Sequence, residues 1–219
     1  MKNKYDLVLF DLDGTLTDPG AGLMKSFYYA LEKMGVNYGS YDSLRRFIGP
    51  PLYDTWIDEF GFTNEECDLA LDHFHDYFGE RGWNDNIPYE GILPMLARVK
   101  ASGVQVALAT SKPMVYAKPI CDLFGITPYI DFLGAADTDK TRDKKWEVIE
   151  YVLEHYPDVS RERTVIVGDR HFDADGAHTT GIHAVGVTYG YGSLEEVEAA
   201  GFDTIVHRVE DIPSALVEE

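Results

Sequence analysis

Val8-Leu9-Phe10-Asp11-Leu12-Asp13-Gly14-Thr15-Leu16-Thr17-Asp18 sets two carboxylates, Asp11 and Asp13, at the end of an apolar, β-favouring run. Leu7 to Phe10, bounded downstream by Gly14, reads as a buried strand of a parallel sheet, and such sheets bind their ligands at the carboxyl ends of their strands. The i, i+2 spacing points Asp11 and Asp13 to the same side, where they can share a cation or divide nucleophilic and acid/base work. Gly14 supplies the tight turn that lets them converge. An isolated Asp-x-Asp-Gly is also compatible with two acids that merely cap a turn, so companions elsewhere decide between the two.

The chain in order supplies those companions. After Asp18, Pro19-Gly20-Ala21-Gly22 breaks the strand, and helical spacing follows over Leu23–Met34, Tyr41–Phe47, Leu52–Phe60 and Glu65–Phe78, punctuated by Gly35, Gly49-Pro50-Pro51, Gly61 and Gly79. Residues 19–87 therefore read as an all-helical insertion. From Pro88 strands and helices alternate: a helix over Ile92–Ala101, a strand over Val104–Ala109 ending at Thr110-Ser111-Lys112, and a helix from Pro113 towards Phe124. A weaker strand covers Ile130–Ala135, a helix Lys145–His155, a strand Thr164–Val167, and a helix the stretch near Asp173–Thr180. Strands at Ala184–Val187 and Thr204–Val206 complete the pattern, with Ser193 capping a short helix between them and Ile212–Val217 closing the chain. This alternation predicts an α/β fold, a doubly wound parallel sheet built from residues 1–18 and 88–219, with the helical insertion as a second domain.

Bulk properties narrow the function. A chain of 219 residues with 45% hydrophobic content buries a full core. Its formal charge of −19 opposes binding to nucleic acid or an anionic membrane surface. No run is long and apolar enough to span a bilayer, and Met1 to Asp6 reads as no signal segment, so the cytoplasm is the expected setting. Cys67 and Cys121 lack metal-ligand spacing and read as reduced packing residues. His73 and His75 fall on different faces of a charged helix and read as surface residues.

On the predicted sheet the polar strand-end residues form one set: Asp11, Asp13, Thr110, Ser111 and Asp169, with Lys145 opening a core helix. Several acids invite a divalent cation, and hard oxygen donors suit Mg²⁺. A hydroxyl, exposed backbone N–H groups and a lysine are what a phosphoryl group needs for charge neutralisation.

The set Asp11-Leu12-Asp13-Gly14-Thr15, Thr110, Lys145 and Gly168-Asp169-Arg170-His171-Phe172-Asp173 resembles the four motifs of the haloacid dehalogenase superfamily, in the same order and over the whole chain. Phe47-Ile48-Gly49-Pro50-Pro51-Leu52 and Ala109-Thr110-Ser111-Lys112-Pro113 are similar to the phosphoglycolate phosphatase-like branch. The resemblance implies a Rossmann-like core with a helical cap over residues 19–87 and an aspartyl-phosphate mechanism. It implies Asp11 as nucleophile and Mg²⁺ ligand, and Asp13 as acid and base that also binds the metal through its backbone carbonyl. Leu12, Asp13, Thr110, Ser111 and Lys145 would hold the phosphoryl group, Asp169 would complete the metal shell, and Asp173 would orient it or a bound water. Thr141-Arg142-Asp143-Lys144-Lys145 offers two lysines, of which Lys145 directly precedes the periodic run Trp146, Val148, Ile149, Val152 as the family's lysine does. Arg45 and Arg46 precede the Gly49-Pro50-Pro51 turn and would meet a second anion on the substrate, a solvated helix face being the alternative.

The expected activity is Mg²⁺-dependent hydrolysis of a small phosphorylated metabolite, phosphoglycolate first, by a monomer or homodimer. A 5′-nucleotidase or a sugar-phosphate phosphatase is the alternative substrate reading, and a phosphosugar mutase, which shares every core motif, is the alternative reaction. A phosphorylated signalling module is the alternative from another class; Asp11 on the first strand and the acid at Asp13 oppose it.

Overall fold

The computed structural model of the chain describes residues 3–40, 43–44, 47–48, 52–137, 142 and 144–218. Its elements in order are β1 (Leu7–Phe10), β2 (Thr17–Asp18), α1 (Gly20–Lys33), α2 (Leu52–Phe60), α3 (Asn64–Glu80), β3 (Ile87–Pro88), α4 (Ile92–Ala101) and β4 (Gln105–Pro113). They continue as α5 (Met114–Leu123), β5 (Phe132–Ala136), α6 (Lys145–Leu153), β6 (Thr164–Gly168), α7 (His171–Thr180), β7 (His183–Val187), α8 (Leu194–Ala199), β8 (Thr204–Val206) and α9 (Ile212–Ala215). Two compact units result, one formed by Met1–Asp18 with Pro88–Glu219 and the other by Pro19–Ile87.

In the first unit β1, β4, β5, β6, β7 and β8 form a six-stranded sheet in the order β5-β4-β1-β6-β7-β8, with every pair parallel. Leu7 to Phe10 are wholly buried because β1 is central and flanked on both edges, which is why the strand reads as a continuous apolar run. One face packs Leu7, Leu9, Ala107, Ala109 and Ile166 against Val148, Ile149 and Val152 of α6 and Ala177 of α7. Burying each Leu, Ile or Val side chain of this cluster contributes about 1.5–3 kcal/mol. The chain runs outward from β1 through β4 to β5, then returns to β6 on the other side, so the strand order reverses beside β1. A crevice opens at such a switch point, beyond the carboxyl ends of the strands. Asp11 lies there.

The second unit holds its own core. Phe27 of α1 stacks on Trp56 of α2 with ring centroids 4.0 Å apart, and Phe47, Phe60 and Phe62 extend the aromatic cluster. Thr63 starts α3 with a capping box, its hydroxyl accepting from Glu66 N while Glu66 accepts from Thr63 N. The helix expected over Tyr41–Phe47 falls largely outside the described residues.

Two boundaries differ from the sequence reading in ways that shape the site. The strand expected to stop at Ala109 continues as β4 to Pro113, because Thr110 pairs with Ala135 and Pro113 with Ala136 of β5. Ser111 and Lys112 are left in a bulge between those pairs, and the turn chemistry of Ser-Lys-Pro reflects the bulge rather than a strand end. Helix α7 starts at His171 rather than near Asp173, so Asp173 sits in its first turn instead of at its cap. Among the described residues no helix is long and apolar enough to cross a membrane.

Candidate active site

Asp11 follows β1 directly and is held in line with the sheet by its own N–H, which donates to Val167 O at 2.9 Å. The chain then knots: the Leu12 carbonyl accepts from Leu16 N and Thr17 N, both at 2.9 Å, and Gly14 N donates to Thr17 O at 2.8 Å. The turn requires Gly14, whose φ is +83°, and a Cβ there would run into the Asp169 carboxylate. Among the described residues the N–H groups of Leu12 and Asp13 meet no protein acceptor, which leaves them for an anion.

Lys145, the first residue of α6, is buried, and its ammonium lies 2.7 Å from Asp11 Oδ1 and 2.8 Å from Asp173 Oδ1 while donating to Ala109 O at 3.0 Å. Burial alone would weaken the charged form, but Asp11 and Asp173 outweigh it and hold the lysine above its ordinary range. Lys144, its neighbour, precedes the helix and donates its backbone N–H to Glu147 Oε2 at 3.0 Å, so Lys145 is the lysine among the carboxylates. Asp173 uses its other oxygen to accept from Arg170 N at 3.1 Å, closing the first turn of α7.

Asp11, Asp169 and Asp173 offer carboxylate oxygens that all lie within 4.8 Å of one another, close enough to ligate one ion. Asp169, almost wholly buried after β6, accepts from Tyr191 N at 2.7 Å and from the Thr15 hydroxyl at 3.4 Å. Burial first, then the charges of Asp173 and Asp11, push its carboxyl up to about 8. Burial likewise raises Asp173 against the pull of Lys145. Of the three acids, Asp11 and Asp173 pair with the Lys145 ammonium, and their Oδ1 atoms lack an aligned hydrogen-bond donor. A hard divalent cation fits that donor set. The carboxylate of Asp13 stands apart from the cluster, because Lys112 donates to its Oδ2.

Thr110 is buried at the rim of the same edge, and its hydroxyl oxygen accepts from Lys112 N at 3.2 Å. Ser111 is exposed. Arg45 and Arg46 lie outside the described residues. The sequence reading passed over three contributors. Lys112 donates to Asp13 Oδ2, Tyr191 reaches Asp169 through its backbone and Asp18 through its hydroxyl, and Glu196 accepts from Arg170 Nε at 2.7 Å and His171 N at 3.0 Å. Burial works against the Glu196 charge, yet those bonds hold its carboxyl down to about 2. Only the adjacency of Lys112 to Thr110 was a signal available beforehand; the other two arise from loops folding back.

A parallel sheet with a switch point at β1, and a buried carboxylate and lysine cluster at that point, defines an α/β protein with its candidate site at the carboxyl ends of the strands. The chain belongs to the haloacid dehalogenase-like hydrolase family, whose model matches residues 8–187. It is 34% identical to a 5′-nucleotidase of Pseudomonas aeruginosa over 196 residues, 90% of this chain and 88% of that one. A crystal structure of a predicted phosphatase from Clostridium acetobutylicum superposes with a TM-score of 0.88 at 36% identity, covering 98% of this chain and 99% of that chain. The Mycobacterium tuberculosis Protein Tyrosine Kinase A structure does so with a TM-score of 0.83 at 34% identity, over 97% and 98% of the two chains.

Proposed function

We propose that the chain is a Mg²⁺-dependent phosphomonoesterase acting on small phosphorylated metabolites through an aspartyl-phosphate, with phosphoglycolate as the leading substrate. The supporting observation is the meeting of Asp11 with Lys145 at 2.7 Å beside Asp169 and Asp173, at the switch point of the sheet. In the first half-reaction an Asp11 oxygen bonds to phosphorus as the bond to the leaving oxygen breaks, and Asp13 gives that oxygen its proton. In the second, Asp13 takes a proton from water, the water oxygen bonds to phosphorus, and the Asp11 bond breaks to release phosphate. The Thr110 hydroxyl and the N–H groups of Leu12, Asp13 and Ser111 hold phosphoryl oxygens, and the Lys145 ammonium offsets charge on Asp11 and on the phosphoryl group. Asp11, Asp169 and the Asp13 carbonyl, with Asp173 beside them, would hold Mg²⁺, which when bound neutralises charge on the transferring group.

Similarity to the 5′-nucleotidase supports a second substrate reading, a nucleoside 5′-monophosphate. Arg45 and Arg46 are proposed to meet the second anionic end of the substrate. The net charge of −19 supports a small metabolite over nucleic acid or membrane as partner, and the two buried free cysteines, Cys67 and Cys121, support a reducing cytoplasm. A monomer or homodimer satisfies this reading. Phosphate release from a panel of phosphoglycolate, nucleoside monophosphates and sugar phosphates with Mg²⁺ tests it. Turnover of one such ester supports the proposal; isomerised sugar phosphate without free phosphate would replace it with a mutase.

A further inference from the structure

We propose that Lys112 is a positioning residue for the acid/base step, setting the carboxylate of Asp13 and the hydroxyl of Thr110 from a single bulge. The inference rests on the phosphomonoesterase reading and extends it to a residue with no assigned role. Three observations meet at this position. First, β4 slips register between Thr110 and Pro113, and the bulge turns Ser111 outward while burying Lys112. A bulge re-aims a side chain that a regular strand would send elsewhere, and strand bulges gather beside active sites for this reason. Second, the buried ammonium donates to Asp13 Oδ2 across 99 residues of sequence. The other oxygen, Asp13 Oδ1, is buried with no hydrogen-bond partner among the described residues. One oxygen is therefore pinned, and the carboxylate presents its remaining oxygen in a fixed direction, as proton transfer to a leaving group demands.

Third, the backbone N–H of the same residue donates to Thr110 Oγ1 at 3.2 Å. With that N–H occupying a lone pair, the hydroxyl proton of Thr110 points away from Lys112 and is free to be donated to an anion. Thr110 lies within β4 and Asp13 beyond the end of β1, and Lys112 touches the polar groups of both. A lysine serving only as a surface ion pair would be solvated; the Lys112 side chain is 6% exposed against 29% for Asp13. Its cost of burial is offset by a partner that the chemistry uses.

The test exploits the leaving group. Alkyl phosphates need a proton on the departing oxygen, whereas p-nitrophenolate departs without one. For Lys112→Met, which keeps length and removes charge, the ratio of kcat/KM on an alkyl phosphate to that on p-nitrophenyl phosphate should fall by roughly ten- to hundredfold, the range of general acid catalysis less its residual. Asp13→Ala should lower the same ratio at least as far, and Lys112→Met/Asp13→Ala should lower it no further, since a residue acting through another adds nothing once that partner is gone. Thermal melting of each variant separates lost folding from lost alignment, and a destabilised Lys112→Met is replaced by Lys112→Gln. An unchanged ratio in folded Lys112 variants alongside a collapsed ratio in Asp13→Ala overturns the role of Lys112 alone. An unchanged ratio in Asp13→Ala overturns the acid role of Asp13 and the Lys112 inference with it.

Discussion

Asp11 and Asp169 occupy one acidic pocket but place opposite demands on their charge. Asp11 has a cationic neighbour at 2.7 Å and keeps 9% of its surface against 1% for Asp169. Asp11→Asn preserves shape and removes the attacking oxygen's charge; we expect at least a roughly thousandfold loss of phosphate release from a protein whose melting temperature is unchanged or raised, because repulsion with Asp169 and Asp173 is relieved while Lys145 keeps its pairing with Asp173. Near-normal turnover by a folded variant would disprove the assignment. Asp169 is buried among acids, and its carboxyl titrates near 8 in the metal-free chain. The folded chain thus keeps a proton that the unfolded chain releases near pH 4, about the ordinary aspartate value. The sign follows: this group favours folding most below about pH 4, and the contribution is lost as pH rises to about 8. A bound cation requires the ionised form, so Mg²⁺ affinity should climb between pH 6 and pH 8 by up to about tenfold per unit. Isothermal titration across that window measures it, and flat affinity would mean that Asp169 is already ionised when the metal arrives.

At the scale of elements, the site is made by loops that return to strand ends. The loop after β7 carries Tyr189, whose hydroxyl donates to Thr15 O at 2.9 Å, and Tyr191, whose N–H donates to Asp169 at 2.7 Å. Between them Gly190 passes so close that a Cβ would strike the Asp169 carboxylate and the Gly14 carbonyl. Gly190→Ala should therefore push the loop outward and break the Tyr191 bond. We expect Mg²⁺ affinity to fall about tenfold or more, within the 10–100-fold range typical of lost support around a metal site. Unchanged affinity would show that the loop yields without moving Asp169. None of this was legible in Tyr189-Gly190-Tyr191-Gly192, which reads locally as the approach to a capped helix. The strands, by contrast, were legible because β1, β4 and β6 are buried on both faces and so appear as apolar runs closed by a polar residue. Asp11, Thr110 and Asp169 were found by that rule. Lys112 escaped it because a bulge, which leaves no compositional mark, turns it inward. Asp173 was found as a candidate, but its place in the first turn of α7, facing Lys145, depends on where that helix starts.

Over the whole molecule, a net charge of −19 makes any divalent cation stabilising by diffuse screening, so metal-induced stability by itself says little about a site. The clustered acids predict something more specific. A ligand that binds only the folded state at a hundredfold excess over its Kd adds about 2.7 kcal/mol. For a chain in the 150–250-residue class, each kcal/mol moves the melting temperature by about 2–4 °C, which gives an expected rise of about 5–10 °C with saturating Mg²⁺ at constant ionic strength. The two units each hold a core of their own, so calorimetry is the appropriate readout. Where the units melt separately, the rise belongs to the transition of the unit formed by Met1–Asp18 and Pro88–Glu219, which contains Asp11, Asp169 and Asp173. Asp169→Asn keeps nearly the whole surface charge and removes one ligand, so it should retain the diffuse part of the effect and lose most of the rise. Chelation should return the wild-type chain to its metal-free melting temperature and abolish phosphate release together. An equal rise in wild type and Asp169→Asn would assign the stabilisation to screening of the acidic surface, and the carboxylates at the switch point of the sheet would then have no claim to a metal.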